Sequence, residues 1–212
     1  MNIFRLAGDL THLGSILILL HKMHMTKSCA GISFKTQCLY LLVFMTRYLD
    51  LFIHYISLYN TLMKIFFIAS SGYIVYLMRK PFKHTYEASL DTFRAEYLVL
   101  VSAVLSVLLP HKYTPIEVLW TFSIFLEAVA ILPQLFQMTR TGEAETITAH
   151  YVFTLGAYRA LYLLNWIYRY YTTGHVDWVA CIAGLVQTAL YGDFFYIYFV
   201  RIFKNKAKKL PV

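Results

Sequence analysis

Charge is what this sequence has least of. Only 14% of its 212 residues are charged against 59% hydrophobic, and mean hydropathy is +0.56. A soluble domain carries about 25% charged and 45–50% apolar residues, so an ordinary soluble fold and a disordered chain are both excluded. Cysteine is scarce too: Cys29, Cys38 and Cys181 form no CxxC, no even disulfide framework and no Cys/His zinc spacing, and read as small apolar side chains. No Asn-x-Ser/Thr sequon, HExxH motif, nucleophile elbow or carboxylate-rich metal motif occurs, so the sequence offers no enzyme signature, metal site or cofactor site. The apolar run that starts at Ile3 lacks a basic leader and an A-x-A cleavage site, and reads as a retained first span. A net charge of +8 does not point to nucleic acid, because the basic residues fall in short clusters between long apolar runs.

Aromatic residues are plentiful, with 18 Tyr, 16 Phe and 3 Trp, enough for the belts that membrane proteins place at bilayer interfaces. A membrane helix needs about 20 mostly apolar residues at 1.5 Å rise each. Seven stretches qualify: 3–20, 37–57, 61–79, 96–111, 115–138, 148–168 and 178–200. Cytoplasmic loops retain Lys and Arg. The segments after the first, third, fifth and seventh stretches hold 13 of the 19 basic residues: Lys22, Lys27 and Lys35; Arg79, Lys80, Lys83 and Arg94; Arg140; and Arg201, Lys204, Lys206, Lys208 and Lys209. The other side holds Lys64, Lys112 and Arg169. The expected topology therefore puts the N-terminus outside, lumenal or extracellular, and the basic tail 201–212 in the cytosol.

An internal echo points to a repeat. Met25-Thr26-Lys27-Ser28 matches Met138-Thr139-Arg140-Thr141, and Ile32-Ser33 matches Ile147-Thr148. The expected fold is an all-α membrane protein of seven transmembrane helices. Two parallel three-helix repeats (1–79 and 115–200) are joined by a linker helix (96–111), as in SWEET/PQ-loop-like folds.

Ionisable groups at a helix centre cost roughly 2.5–3.5 kcal/mol each on insertion scales, so those inside the spans should face one another or water. The first span aligns Arg5, Asp9 and His12; the second, Arg47 and Asp50; the fifth, Glu117, Trp120 and Glu127; the sixth, Tyr158, Tyr162, Asn165 and Arg169. Helical spacing keeps each set on one face. Together they predict a water-filled funnel, open on the lumenal side and narrowing toward the midplane. Arg5, Arg47 and Arg169 suit carboxylates, whereas Asp50, Glu117 and the face of Trp120 suit a cation. That layout fits a zwitterionic ligand with several acidic groups better than a neutral sugar. The competing readings are structural ion pairs (Arg47–Asp50, Arg159–Glu127), a core histidine at His12 and packing tyrosines at Tyr158 and Tyr162.

These residues occur in recognisable blocks: Met1-Asn2-Ile3-Phe4-Arg5, Thr46-Arg47-Tyr48-Leu49-Asp50-Leu51, Leu119-Trp120-Thr121-Phe122-Ser123, Ala130-Ile131-Leu132-Pro133-Gln134-Leu135, Thr141 to Thr148 (TGEAETIT) and Tyr158-Arg159-Ala160-Leu161-Tyr162. Along its whole length the chain resembles the KDEL receptor family, the receptors that retrieve escaped ER-lumen proteins from the Golgi. The resemblance implies that the ligand is a C-terminal Lys/His-Asp-Glu-Leu tetrapeptide. Arg47 would hold the terminal carboxylate, and Arg5 and Arg169 the acidic groups as the peptide enters. Asp50, Glu117 and Trp120 would read the first signal residue, while Tyr162, Asn165 and Trp166 line the wall. It further implies pH sensing by His12 with Glu127 and Tyr158. Sorting would use COPI through Arg201, Lys204 and Lys206 and COPII through Glu143 and Glu145. Residence would be in ER and cis-Golgi membranes, among membrane lipid. An alternative is a SWEET-like small-solute or amino-acid transporter; a seven-helix signalling receptor is a third reading, disfavoured by the short loops and the repeat.

Overall fold

The computed structural model describes residues 2–53, 55–110, 112–141, 146–174 and 177–207. All regular structure among them is helical: α1 (Ile3–Thr26), α2 (Phe34–Arg47), α3 (Leu58–Arg79), α4 (Ala95–Leu108), α5 (Pro115–Val129), α6 (Leu132–Thr141), α7 (Thr146–Thr173) and α8 (Trp178–Ala207), with 3-10 turns at Leu49–Phe52 and Lys83–Thr85. Four stretches are each long and apolar enough to cross a membrane: Ile3–Thr26, Leu58–Arg79, Pro115–Arg140 and Trp178–Tyr196. Ala95–Leu108 is a shorter apolar helix.

Local chemistry starts the helices. Asn2, Ser33, Ser57 and Thr114 accept hydrogen bonds from the backbone N–H groups of Arg5, Thr36, Asn60 and Glu117, satisfying donors that a first turn leaves open. Thr114-Pro115-Ile116-Glu117 adds proline at the first helical position and an acid in the first turn, both favourable there. Asp91 then holds the start of α2 from a distance. Its carboxylate accepts from the Ser33 hydroxyl (3.0 Å), the Lys35 N–H (3.2 Å) and the Tyr86 hydroxyl (2.8 Å). Burial, and then the bond to Asp91, push the Tyr86 phenol above its ordinary range, so it stays a donor at neutral pH.

Polar side chains are packed within the bundle beside its apolar core, and large apolar ones face outward. Ser15, Thr36, Gln37, Ser71, Thr121 and Ser123 are buried, while Leu10, Leu17, Leu62, Ile65, Leu100, Val104 and Val107 are exposed, as expected where lipid replaces water as the solvent. α1 lies antiparallel to α7. Asn2 bonds Asn165, Tyr162 bonds Asp9, His12 stacks on Tyr158, and Lys22 bonds Thr148. Further neighbours are α2 with α3 and α5, α5 with α4 and α8, α7 with α8, and α1 with α3.

Four sequence expectations are corrected. The second stretch, expected to run to residue 57, stops at Arg47 and turns through Leu49–Phe52. Asp50 is thereby carried off the helix to Lys64 (2.6 Å) rather than to Arg47. The fifth stretch is two helices with a break at Ala130–Ile131. Pro133 has no N–H for the Val129 carbonyl and its ring crowds that turn. Lys22, expected in a loop, lies inside α1, where its ammonium donates to the Ala30 carbonyl and the Thr148 hydroxyl, both at 2.8 Å. Lys64, counted among residues flanking the spans, is buried within α3.

Candidate functional site

The site forms where α2, α5, α7 and α8 converge. Arg47 ends α2, Glu127 is near the end of α5, and Tyr158 and Arg159 lie halfway along α7. Glu127 is 2% exposed. One of its oxygens meets both guanidinium groups, with Arg47 Nη1 and Arg159 Nη2 each at 2.5 Å. Its other oxygen accepts the Tyr158 hydroxyl at 2.6 Å. Arg47 also donates to the Ser123 hydroxyl (3.1 Å) and carbonyl (2.9 Å), which fixes the plane of its fork. Arg159 Nε, although buried, has no partner. Two cations thus share one anion in a place almost closed to water, leaving one positive charge uncompensated. Such a site favours a second carboxylate, because an unpaired buried charge is expensive.

Above this floor lies a cavity of about 250 Å³ lined by Arg47, Trp120, Glu127, Arg159, Tyr162, Trp166 and Arg169, with Asp177, Gly184 and Gln187 contributed by α8 and the residue before it. Trp166 can stand against α8 only because residue 184 is glycine; a Cβ there would lie 2.4 Å from the indole ring. A second cavity of about 470 Å³ opens beyond the first and shares Arg169 with it, together with Asn2, Arg5, Asn165, Tyr168, Thr172 and Thr173.

Of the residues singled out in the sequence, Arg47, Trp120, Glu127, Tyr162, Trp166 and Arg169 come together at the inner cavity, and Arg5 and Asn165 join Arg169 at the outer one. His12 sits behind the floor, its ring stacked 4.0 Å from that of Tyr158 and packed against Phe44 and Phe67. Asp50 and Glu117 line neither cavity; one Asp50 oxygen is held by Lys64 and the other is buried without a partner. Arg201, Lys204 and Lys206 belong to the last turns of α8, and their side chains lie outside the described residues, as do Glu143 and Glu145. Arg159, anticipated only as a structural partner of Glu127, is a cavity residue. Asp177 and Gln187 were not anticipated. Asp177 carries a helix-start signal, accepting the Ala180 N–H at 3.1 Å, and Gln187 is a lone amide in an apolar run, 1% exposed, with its Nε2 unpartnered.

Below the floor, toward the Asp91 end, further buried polar contacts close the space between α2 and the later helices. Tyr40 meets Tyr191 (3.3 Å), Gln37 donates to Tyr151 (3.0 Å), and Gln134 accepts the Ser33 N–H (2.8 Å) and donates to the Gly31 carbonyl (2.9 Å).

A sequence model of the family described as "ER lumen protein retaining receptor" matches residues 28–169. The chain is 59% identical to the ER lumen protein-retaining receptor of Drosophila melanogaster, and 60% identical to ER lumen protein-retaining receptor 2 of Bos taurus and of Mus musculus, each over the full length of both chains. This chain belongs to the ER lumen protein retaining receptor family.

Proposed function

We propose that this protein is a pH-dependent receptor for C-terminal KDEL- or HDEL-type signals, binding escaped ER proteins in the Golgi and returning them to the ER. The observation that carries this reading is the cavity floor, where Arg47 and Arg159 share Glu127 and retain one positive charge for an incoming chain end. The planar Arg47 fork takes the terminal carboxylate, Arg5 and Arg169 take the acidic side chains, and Trp120, Tyr162, Asn165 and Trp166 form the wall. Asp50 and Glu117 meet the first residue of the signal once the ligand draws their segments inward; the unpartnered Asp50 oxygen is an acceptor ready for an ammonium or imidazolium.

The sign of the pH effect follows from charge. His12 faces Tyr158 and Arg159 on α7, Glu127 on α5, Arg47 on α2 and the Phe67 ring on α3. A proton on His12 adds a positive charge to a cluster already short of an anion, and a bound carboxylate offsets it. Proton uptake and ligand binding therefore reinforce each other, tightening binding as pH falls, by at most about tenfold per pH unit for each proton.

Seven spans, in two three-helix repeats around the linker α4, suit the neighbour pattern. Exchanging α1, α2 and α3 for α5, α7 and α8 turns the α1–α7 contact into α5–α2, α2–α3 into α7–α8, and α1–α3 into α5–α8. The two echoed segments lie at the ends of α1 and α6, α1 stopping at the second residue of its segment, Thr26, and α6 running through the fourth, Thr141. In this arrangement the N-terminus is lumenal and the tail is cytosolic, where Arg201, Lys204 and Lys206 meet COPI, and Glu143 and Glu145 face COPII. A transporter needs a path past the floor; the Tyr40–Tyr191 and Gln37–Tyr151 contacts stand across it.

The test is binding of a peptide ending in Lys-Asp-Glu-Leu, with a free or amidated end, at two pH values. The free form should bind more tightly at mildly acidic pH and the amide should lose most of the affinity. Equal binding of the two forms would remove the role given to Arg47.

A further inference from the structure

Away from the cavities, basic residues gather where α1 and α3 end. Residues 21–35 contain no acidic side chain, and 79–90 only Glu87. Lys22 and Lys35 are committed within the fold, Lys22 to the Ala30 carbonyl and the Thr148 hydroxyl, Lys35 to the Phe93 carbonyl. Lys27, Arg79, Lys80 and Lys83 are exposed, and among the described residues none has a carboxylate partner. The two helix ends are pinned together. The Tyr73 hydroxyl meets a His24 ring nitrogen at 3.3 Å, the Cys29 N–H donates to the Thr85 hydroxyl at 2.9 Å, and the Cys29 thiol to the Phe82 carbonyl at 3.3 Å. Lys27 is thus two residues from a contact with the segment that carries Lys80 and Lys83. A helix C-terminus holds about half a negative charge, so the ends of α1 and α3 together offset about one of these four cations.

The outward face of α3 shows what meets the remainder. Leu62, Ile65, Tyr73, Tyr76 and Lys80 follow one another at helical spacing, and the first four are all more than 40% exposed. Their order is aliphatic, then aromatic, then cationic. Tyr73 and Tyr76 stack with ring centroids 6.4 Å apart, and Lys80 stands about 6 Å further along the axis than Tyr76. Hydrocarbon, interface and headgroup layers of a bilayer come in that same order. An acidic protein docking on the cations would leave the tyrosines and the aliphatic face beneath them unmatched. A phospholipid matches all three at once.

We propose that the joined ends of α1 and α3 form a binding site for an anionic phospholipid, with Lys27, Arg79, Lys80 and Lys83 on a headgroup that carries a phosphate monoester beyond its diester, and Tyr73 and Tyr76 at the glycerol level. Four cations against about one unit of helix-end charge exceed what a single phosphodiester neutralises, which is why a headgroup with a second phosphate is favoured. The site is separate from the peptide cavities and does not depend on the receptor reading; it uses the side of the membrane where the topology above puts the tail.

Purified full-length protein in detergent is titrated at low salt with a dioctanoyl phosphoinositide monophosphate, with dioctanoyl phosphatidylcholine and with the free inositol phosphate headgroup. The phosphoinositide should bind at least about tenfold tighter than either of the others. Each Lys or Arg near an anionic lipid contributes about fivefold, so Arg79→Gln, Lys80→Gln and Lys83→Gln combined should weaken it on the order of a hundredfold. High salt should shrink the difference. Lys83→Glu alone, on an exposed turn, should cost about tenfold, and Lys80→Arg with Lys83→Arg should retain binding. The triple variant should keep its lipid-free unfolding midpoint and its affinity for the Lys-Asp-Glu-Leu peptide. Equal binding of phosphatidylcholine would overturn the site, as would equal binding of the free headgroup, which would make it an anion patch. Undiminished phosphoinositide binding by the folded variants, or its loss on Lys204→Gln with Lys206→Gln instead, would place the lipid elsewhere and overturn it too.

Discussion

Arg47 and Arg159 do different jobs although both reach one carboxylate. Arg47 presents its fork to the cavity with Ser123 behind it, whereas Arg159 neutralises Glu127 from below and lies under the Tyr158 ring, 5.1 Å from its centroid. With Arg159 removed, Glu127 would pair with Arg47 alone and the floor would lose its spare positive charge. Arg159→Gln should therefore weaken binding of the free peptide by at least about tenfold while Arg47 stays in place, since one positive charge near a carboxylate is worth on the order of a few kcal/mol at an effective dielectric of about 20. Calorimetry on the folded, detergent-solubilised protein checks this, and undiminished affinity would assign Arg159 to folding alone. At this scale the sequence was informative about which residues matter and poor on which pairs form. A charge inside an apolar run announces itself, so Arg47, Glu127 and Arg169 stood out. Their partners are set by packing: Arg47 meets a residue 80 positions away, and Asp50 meets Lys64.

Helix ends divide in the same way. The start of α5 was open to reading, because Thr114-Pro115 acts through its own backbone chemistry, whereas the break before α6 was missed although Pro133 carries a local signal for it. The end of α2 gave no such signal. Tyr48-Leu49-Asp50 contains no glycine or proline, and the turn is imposed by the Asp50–Lys64 pair and the stacking of Tyr48 on Phe44 (5.8 Å between centroids). The hold of Asp91 on α2 spans 58 residues of sequence and left no local trace. Asp91→Ala would strip acceptors from the Ser33 hydroxyl, the Lys35 N–H and the Tyr86 hydroxyl, at a cost of about 1–3 kcal/mol for a buried donor left unmatched. Thermal unfolding in detergent should show a lower midpoint, and an unchanged midpoint would mean the network contributes nothing net.

Across the whole molecule, the cavity and the basic tail belong to one element: α8 supplies Ala183, Gly184 and Gln187 to the cavity wall and runs on to Ala207. A ligand that shifts the wall would carry the tail with it, which would give the proposed receptor a lever running from the cavity to the basic tail. Replacing Lys204 and Lys206 with alanine should leave peptide affinity intact yet hold the protein in the Golgi, as tracked by microscopy of a tagged chain; normal recycling would refute the tail's role. The membrane class was plain from composition alone. Of the seven expected stretches, the first, third, fifth and seventh fall on segments long and apolar enough to cross a membrane; the sixth falls on α7, 28 residues long and carrying Arg159 and Arg169, and the second on α2, which has only 14 residues.

Glu127 already neutralises one of the two guanidinium groups on the floor, so an incoming chain terminus meets a single spare positive charge there. Free amino acids and other small organic acids have only that one charge to hold them, and they share it with a tethered carboxylate whose local concentration is of millimolar order or higher. A single carboxylate seldom wins that contest. Only a molecule that collects extra binding along the walls while its end competes at the bottom can do so. The shared carboxylate thus screens the pocket against small acids that lack a peptide's length.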